Sequence, residues 1–270
     1  MLIPLGQPYT KSVAYISDKH NFSNGINFVF QIRGFTGKGL AESSNTVWIA
    51  SEAGGMGSLE NTQTFGKASY VNESIKNIIS ILSAKYHYTS LVPNSISLVS
   101  FSGGYGAIEK ILSEKSKLVA PIKSVTVLDG IHEGSKTPKA WIDWAKESQN
   151  DPSKSFNIVH TNIKPPNYAS TTDSADNIIN NLGLKRENGN VISGGFKVFN
   201  IGGQDAQAHM NARDFLTNLE PGKPTPTGQT NQSAVNKPQV KSPAVKSSNK
   251  ELSSVESNFL AALKDLENKI

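Results

Sequence analysis

The chain has 270 residues, 37% of them hydrophobic, with 27 Lys and Arg against 22 Asp and Glu and no cysteine. That length carries one full-sized core, the missing thiols exclude disulfides and thiolate metal sites, and no apolar run reaches the length of a bilayer span. Much of the +5 formal charge falls late, at Lys223, Lys237, Lys241, Lys246 and Lys250, so it marks a solvated tail and gives no support to a nucleic-acid partner.

The first residues, Met1-Leu2-Ile3-Pro4-Leu5-Gly6, lack a basic n-region and a long apolar segment, so no secretory signal is expected and the protein reads as soluble and cytoplasmic by default. Residues 12–16 read as a strand at the edge of a sheet. Residues 27–32 are a second strand, closed by the glycine-rich stretch 33–39, and residues 46–50 are a third. A helix follows over residues 70–85, where Val71, Ile75, Ile78, Ile79 and Leu82 share one face. The apolar run 97–101 is a strand that ends at Ser102, and residues 107–112 return to helical spacing.

Residues 124–128 form a strand ending at Asp129-Gly130, residues 141–145 lie in a helix, and residues 156–160 are a strand. A short helix spans residues 174–182 with Gly183 as its stop. A last strand at 196–201 and a helix over 208–219 complete a body of about 220 residues. Short apolar strands alternating with helices predict an α/β fold: a mostly parallel sheet with helices on both faces. Residues 221–249, rich in Pro, Ser, Thr, Asn, Gln and Lys, predict a disordered linker. In residues 250–270 the apolar positions Leu252, Val255, Phe259, Leu263, Leu266 and Ile270 predict an amphipathic helix, for docking on a protein partner or for self-association.

The segment Ser100-Phe101-Ser102-Gly103-Gly104 combines strand, serine, tight glycine turn and helix, which is the construction of a nucleophile elbow. The same residues also suit an ordinary strand–turn–helix junction. A serine nucleophile requires a base that takes its proton and an acid that orients the base. Of the five histidines, His209 follows the last body strand and fits the order Ser…Asp…His. His132 is the rival base, His160 reads as structural, and His20 and His87 fall outside that order.

Asp129, fixed at a strand end, is the favoured acid. Asp173 lies on a longer polar loop, and Asp205 suits a helix cap. An oxyanion hole would draw on the N–H of Gly103 and on a second N–H near Gly34 or Phe35. The stretch Gly37-Lys38-Gly39 lacks the spacing of a phosphate loop, and neither HExxH nor an acidic calcium loop occurs, so no cofactor or metal is expected.

These residues resemble the α/β-hydrolase superfamily over about residues 27–219. Phe101-Ser102-Gly103-Gly104-Tyr105 and Val127-Leu128-Asp129-Gly130-Ile131-His132 are also similar to a loosely characterised group of bacterial and phage-associated hydrolase-like proteins. The resemblance implies Ser102 as nucleophile, Asp129 as acid and His209 as base. The sequence departs from the superfamily pattern at Ser100, where the elbow has glycine, and at Arg33-Gly34, where many esterases have His-Gly. The expectation is a serine hydrolase acting on a small-molecule or cell-envelope ester or amide. The other reading is a hydrolase-like binding module tethered to an assembly by its C-terminal helix.

Overall fold

The computed structural model describes residues 2–5, 12–34, 44–51, 53 and 58–215. The linker and helix expected over residues 221–270 lie outside the described residues, as does Phe35. Nine strands form one sheet among the described residues: β1 (Leu2–Pro4), β2 (Ser12–Ile16), β3 (Ile26–Ile32), β4 (Thr46–Ser51), β5 (Pro93–Phe101), β6 (Ile122–Leu128), β7 (Ser155–His160), β8 (Val191–Ser193) and β9 (Phe196–Asn200). Their order is β1-β2-β4-β3-β5-β6-β7-β9-β8. The run from β4 through β3, β5, β6 and β7 to β9 is parallel, while β1, β2 and β8 are antiparallel additions at the two ends. The strand over residues 12–16 is present but is not an edge, because the three-residue β1 pairs outside it.

The helices are α1 (Ser58–Phe65), α2 (Ala68–Tyr86), α3 (Tyr105–Ser113), α4 (Lys139–Asn150), α5 (Thr171–Asn181) and α6 (Ala206–Asp214). Strand alternation places Phe28, Phe30 and Ile32 on one face, where they join Phe65, Ile78, Ile108, Trp141 and Ile178 from α1 to α5 in the larger core. On the opposite face Val99, Phe101, Leu128, Val159 and Phe199 pack with Ala212 of α6 and Phe215. Helices cover both faces, five on one and one on the other among the described residues. This is the α/β-hydrolase-like arrangement that the sequence predicts. No described helix is long and apolar enough to cross a membrane.

Two helix ends carry recognisable chemistry. Ser170 and Asp173 form a capping box that starts α5 three residues earlier than the apolar pattern suggests, and Gly183 (φ 66°) follows its end. Asp173 is thereby committed to a cap, not to a catalytic site. The helix α1 has no counterpart in the sequence reading. Its sequence, Ser-Leu-Glu-Asn-Thr-Gln-Thr-Phe, buries only Asn61 and Phe65 and leaves too weak a stripe to register as periodic.

The chain turns toward opposite ends of the sheet on either side of the β3–β5 pair: β4 lies beyond β3, and β6, β7 and β9 lie beyond β5. Such a reversal opens a crevice at the carboxyl ends of the strands. The register fixes what meets there. Phe101 pairs with Leu128 and Leu128 with Val159, so Ser102 and Asp129 are the first residues past two adjacent strands, with Thr161 just past the third.

Candidate active site

Three neighbouring strands end in the same way. Arg33 after β3 (φ 66°), Ser102 after β5 (φ 48°) and Asp129 after β6 (φ 46°) all have left-handed backbone, and each is followed by glycine. A side chain in that region costs about 1–2 kcal/mol, and such residues persist only where their surroundings hold them. Here the holding is close packing. A Cβ at Gly104 would overlap the Ile32 carbonyl oxygen and lie 3.1 Å from Ser100 Cβ, while one at Gly130 would lie 2.7 Å from the Ser102 carbonyl oxygen. The 3-10 turn Ser102–Gly104 leads directly into α3, with Ser102 half-buried and Gly103 buried.

Ser100 occupies the position where the superfamily pattern has glycine. It is fully buried, and its hydroxyl has no hydrogen-bond partner. The turn therefore tolerates a side chain on its strand side but not at Gly104.

Asp129 is buried and held by three hydrogen bonds. The Thr161 N–H donates to Oδ1 at 3.1 Å, the Thr161 hydroxyl donates to Oδ2 at 2.9 Å, and His209 Nδ1 lies 2.7 Å from Oδ2. Burial pushes this carboxyl up. The hydrogen bonds from His209 and Thr161 and the His209 charge outweigh that effect and hold it below the usual carboxylate range. A carboxylate only accepts, so His209 Nδ1 carries the proton and Nε2 is left as the basic atom. The imidazole also packs on Phe101 with ring centroids 4.6 Å apart. Asp205, a candidate acid in the sequence, instead caps α6 by accepting from the Ala208 N–H at 2.8 Å.

Ser102, Asp129 and His209 line one cavity of about 260 Å³ together with His132, Tyr168 and Asp205. No hydrogen bond joins the Ser102 hydroxyl to His209 in this structure; the Asp129–His209 contact is made and the Ser102–His209 contact is open. His132, the rival base, lines the same cavity but makes no hydrogen bond to Ser102 or Asp129. Its Nδ1 donates to the Ala169 carbonyl at 3.2 Å. His160 is wholly buried, with Nδ1 2.9 Å from the Thr161 carbonyl, in keeping with a structural residue. Gly34 lies beside the elbow: a Cβ there would be 2.6 Å from the Phe101 ring.

Thr161 is the site residue that sequence reading missed. Its only signal is its place one residue past a strand end, and that becomes meaningful only once the β6–β7 register is known.

The sequence matches no protein-family model and no curated protein. Among solved structures, the chain is similar to a poly(3-hydroxybutyrate) depolymerase, LpqC, from Bordetella parapertussis, at 11% identity and TM-score 0.46, covering 79% of this chain and 85% of that one. It is also similar to an acetyl xylan esterase from Aspergillus awamori, at 13% identity and TM-score 0.42, covering 75% and 93%. A third similar structure is an IroE-like serine hydrolase from Shewanella oneidensis, at 10% identity and TM-score 0.41, covering 76% and 74%.

Proposed function

We propose that the protein is a serine hydrolase that cleaves an ester or amide through Ser102, His209 and Asp129. The observation that carries the reading is the 2.7 Å Asp129–His209 contact, in the same cavity as a serine on a left-handed strand end. Ser102 Oγ attacks the substrate carbonyl and its proton passes to His209 Nε2. Asp129 stays ionised and holds the imidazolium that forms. The Gly103 N–H, at the start of a turn leading into a helix, faces the developing oxyanion. Collapse breaks the bond to the leaving group, which takes the proton from His209. Water then repeats the sequence on the acyl-enzyme and restores Ser102.

The open Ser102–His209 contact favours a second reading, a hydrolase-like module that binds without turnover. Against it, catalytic hydrogen bonds in ligand-free enzymes are often long and tighten only around substrate. A fluorophosphonate probe decides between them. Labelling of the wild type and not of Ser102→Ala supports the enzyme; equal labelling of both, or of neither, supports the module. The ester or amide belongs to a small molecule or a cell-envelope component, and residues 252–270 serve for docking on a protein partner or for self-association.

A further inference from the structure

A second imidazole faces the same cavity as the proposed nucleophile. His132 follows Asp129 by three residues, and its ring is clamped between Tyr105 and Tyr168, edge-on to both at centroid separations of 5.6 and 5.0 Å. Its Nδ1 proton is committed to the Ala169 carbonyl. Burial pushes its pKa down and outweighs the opposing effects of Asp129 and of the Ala169 carbonyl, and His209 adds a last, smallest effect in the same direction as burial. The ring is therefore neutral, and Nε2, its one remaining polar atom, is an acceptor with no protein partner among the described residues. A neutral acceptor on a substrate cavity calls for a donor on the substrate.

The rest of the wall agrees. Gln204 and Asp205 add further acceptors, and the Asp205 carboxylate disfavours an anion. No lysine or arginine lines the cavity among the described residues. Ile163, Pro165 and the exposed ring of Tyr168 supply an apolar flank on which a carbon skeleton can lie. Anionic acyl or phosphoryl groups find no counter-charge here, while a purely aliphatic ester would leave the acceptors dry and unpaired.

We propose that His132 is a substrate-recognition residue: its Nε2 accepts a hydrogen bond from a hydroxyl of an uncharged, hydroxylated ester whose carbonyl lies at Ser102. This rests on the serine-hydrolase reading. His132 takes no part in the proton transfers and sets which ester is held for them.

The test compares kcat/KM on two matched pairs: glycerol monobutyrate against propyl butyrate, with the hydroxyls on the alcohol side, and methyl lactate against methyl propionate, with the hydroxyl on the acyl side. The wild type is expected to favour the hydroxylated member of at least one pair by about tenfold, the worth of one hydrogen bond to a partly buried acceptor. His132→Phe, which keeps a ring between the two tyrosines, is expected to bring that ratio close to one. His132→Gln, which keeps an acceptor, is expected to restore most of it. No preference in either pair, or a preference that survives His132→Phe, overturns the proposal. Fluorophosphonate labelling of the same proteins separates the two levels. Labelling of Ser102 without a hydroxyl preference removes the inference alone, and no labelling of the wild type removes the hydrolase reading with it.

Discussion

His209 Nδ1 and Asp129 Oδ2 lie 2.7 Å apart although 80 residues separate them in the chain. The contact ties the end of β6 to the first turn of α6, which is also the helix that covers the smaller core. If Asp129 orients the base, Asp129→Asn replaces a charged acceptor with an amide that does not hold the working tautomer. The expected loss in kcat is about 10³–10⁴-fold, with the fold retained. Rates of fluorophosphonate labelling for the two proteins, with circular dichroism as the control for folding, check this. A rate within threefold of the wild type removes Asp129 from the mechanism.

Thr161 gives Asp129 two of its three hydrogen bonds. Thr161→Val keeps the shape and the N–H contact and removes the hydroxyl donor at 2.9 Å. One hydrogen bond to a buried charged group is worth about 1.5–3 kcal/mol, so a drop in stability of that order is expected by urea denaturation, together with an upward shift of the acid limb of activity. An unchanged urea midpoint would show that water replaces the hydroxyl.

The left-handed backbone at Ser102 makes a prediction about stability that is separate from activity. Glycine adopts φ 48° without strain, at some entropic cost in the unfolded chain. Ser102→Gly is expected to gain about 1 kcal/mol, or about 2–4 °C in Tm, whereas Ser102→Ala gains nothing. Calorimetry on the pair separates backbone strain from any effect of losing the hydroxyl. In the same turn, Ser100→Ala removes a buried hydroxyl without a partner and is expected to be neutral or stabilising by up to about 1 kcal/mol.

The pH dependence of stability has two windows. In the first, burial lowers the pKa of His160 and of His132, so the unfolded chain binds more protons than the folded one once the pH falls through about 6.5. Stability therefore declines on acidification from there down to the depressed folded values. In the second, Asp129 is held below the usual carboxylate range, so its contribution is present above about pH 3.9 and is lost as the pH falls through its lower folded value. Urea midpoints between pH 5 and 8 are expected to slope downward toward acid, and His160→Asn is expected to flatten that slope. A slope that His160→Asn leaves unchanged would place the sensitivity elsewhere.

Much of the parallel sheet was legible because each central strand is a short apolar run with turn residues at its end. The elbow, the strand-end aspartate and the late histidine could be ordered along the chain, and the sheet brings all three to one crevice. Thr161 was not legible, since its partnership with Asp129 depends on parallel register, which no local pattern encodes. The helix α1 was missed because only two of its residues are buried, and β1 and β8 because three residues cannot show a period. The role of His132 as an acceptor needed the Ala169 carbonyl, 37 residues away, to fix its tautomer.

The three left-handed strand ends at Arg33, Ser102 and Asp129 bear on how this protein would respond to directed evolution. A screen that rewards heat tolerance alone has a short route open to it at Ser102, one codon change from glycine. Asp129 offers no such route, because glycine there would strand the Thr161 N–H and hydroxyl that its carboxylate accepts from. Thermotolerant variants selected without a turnover assay are therefore expected to accumulate glycine at position 102 and to emerge as stable, silent proteins. A library scored on both properties should leave that position untouched and draw its stabilisation from elsewhere in the fold.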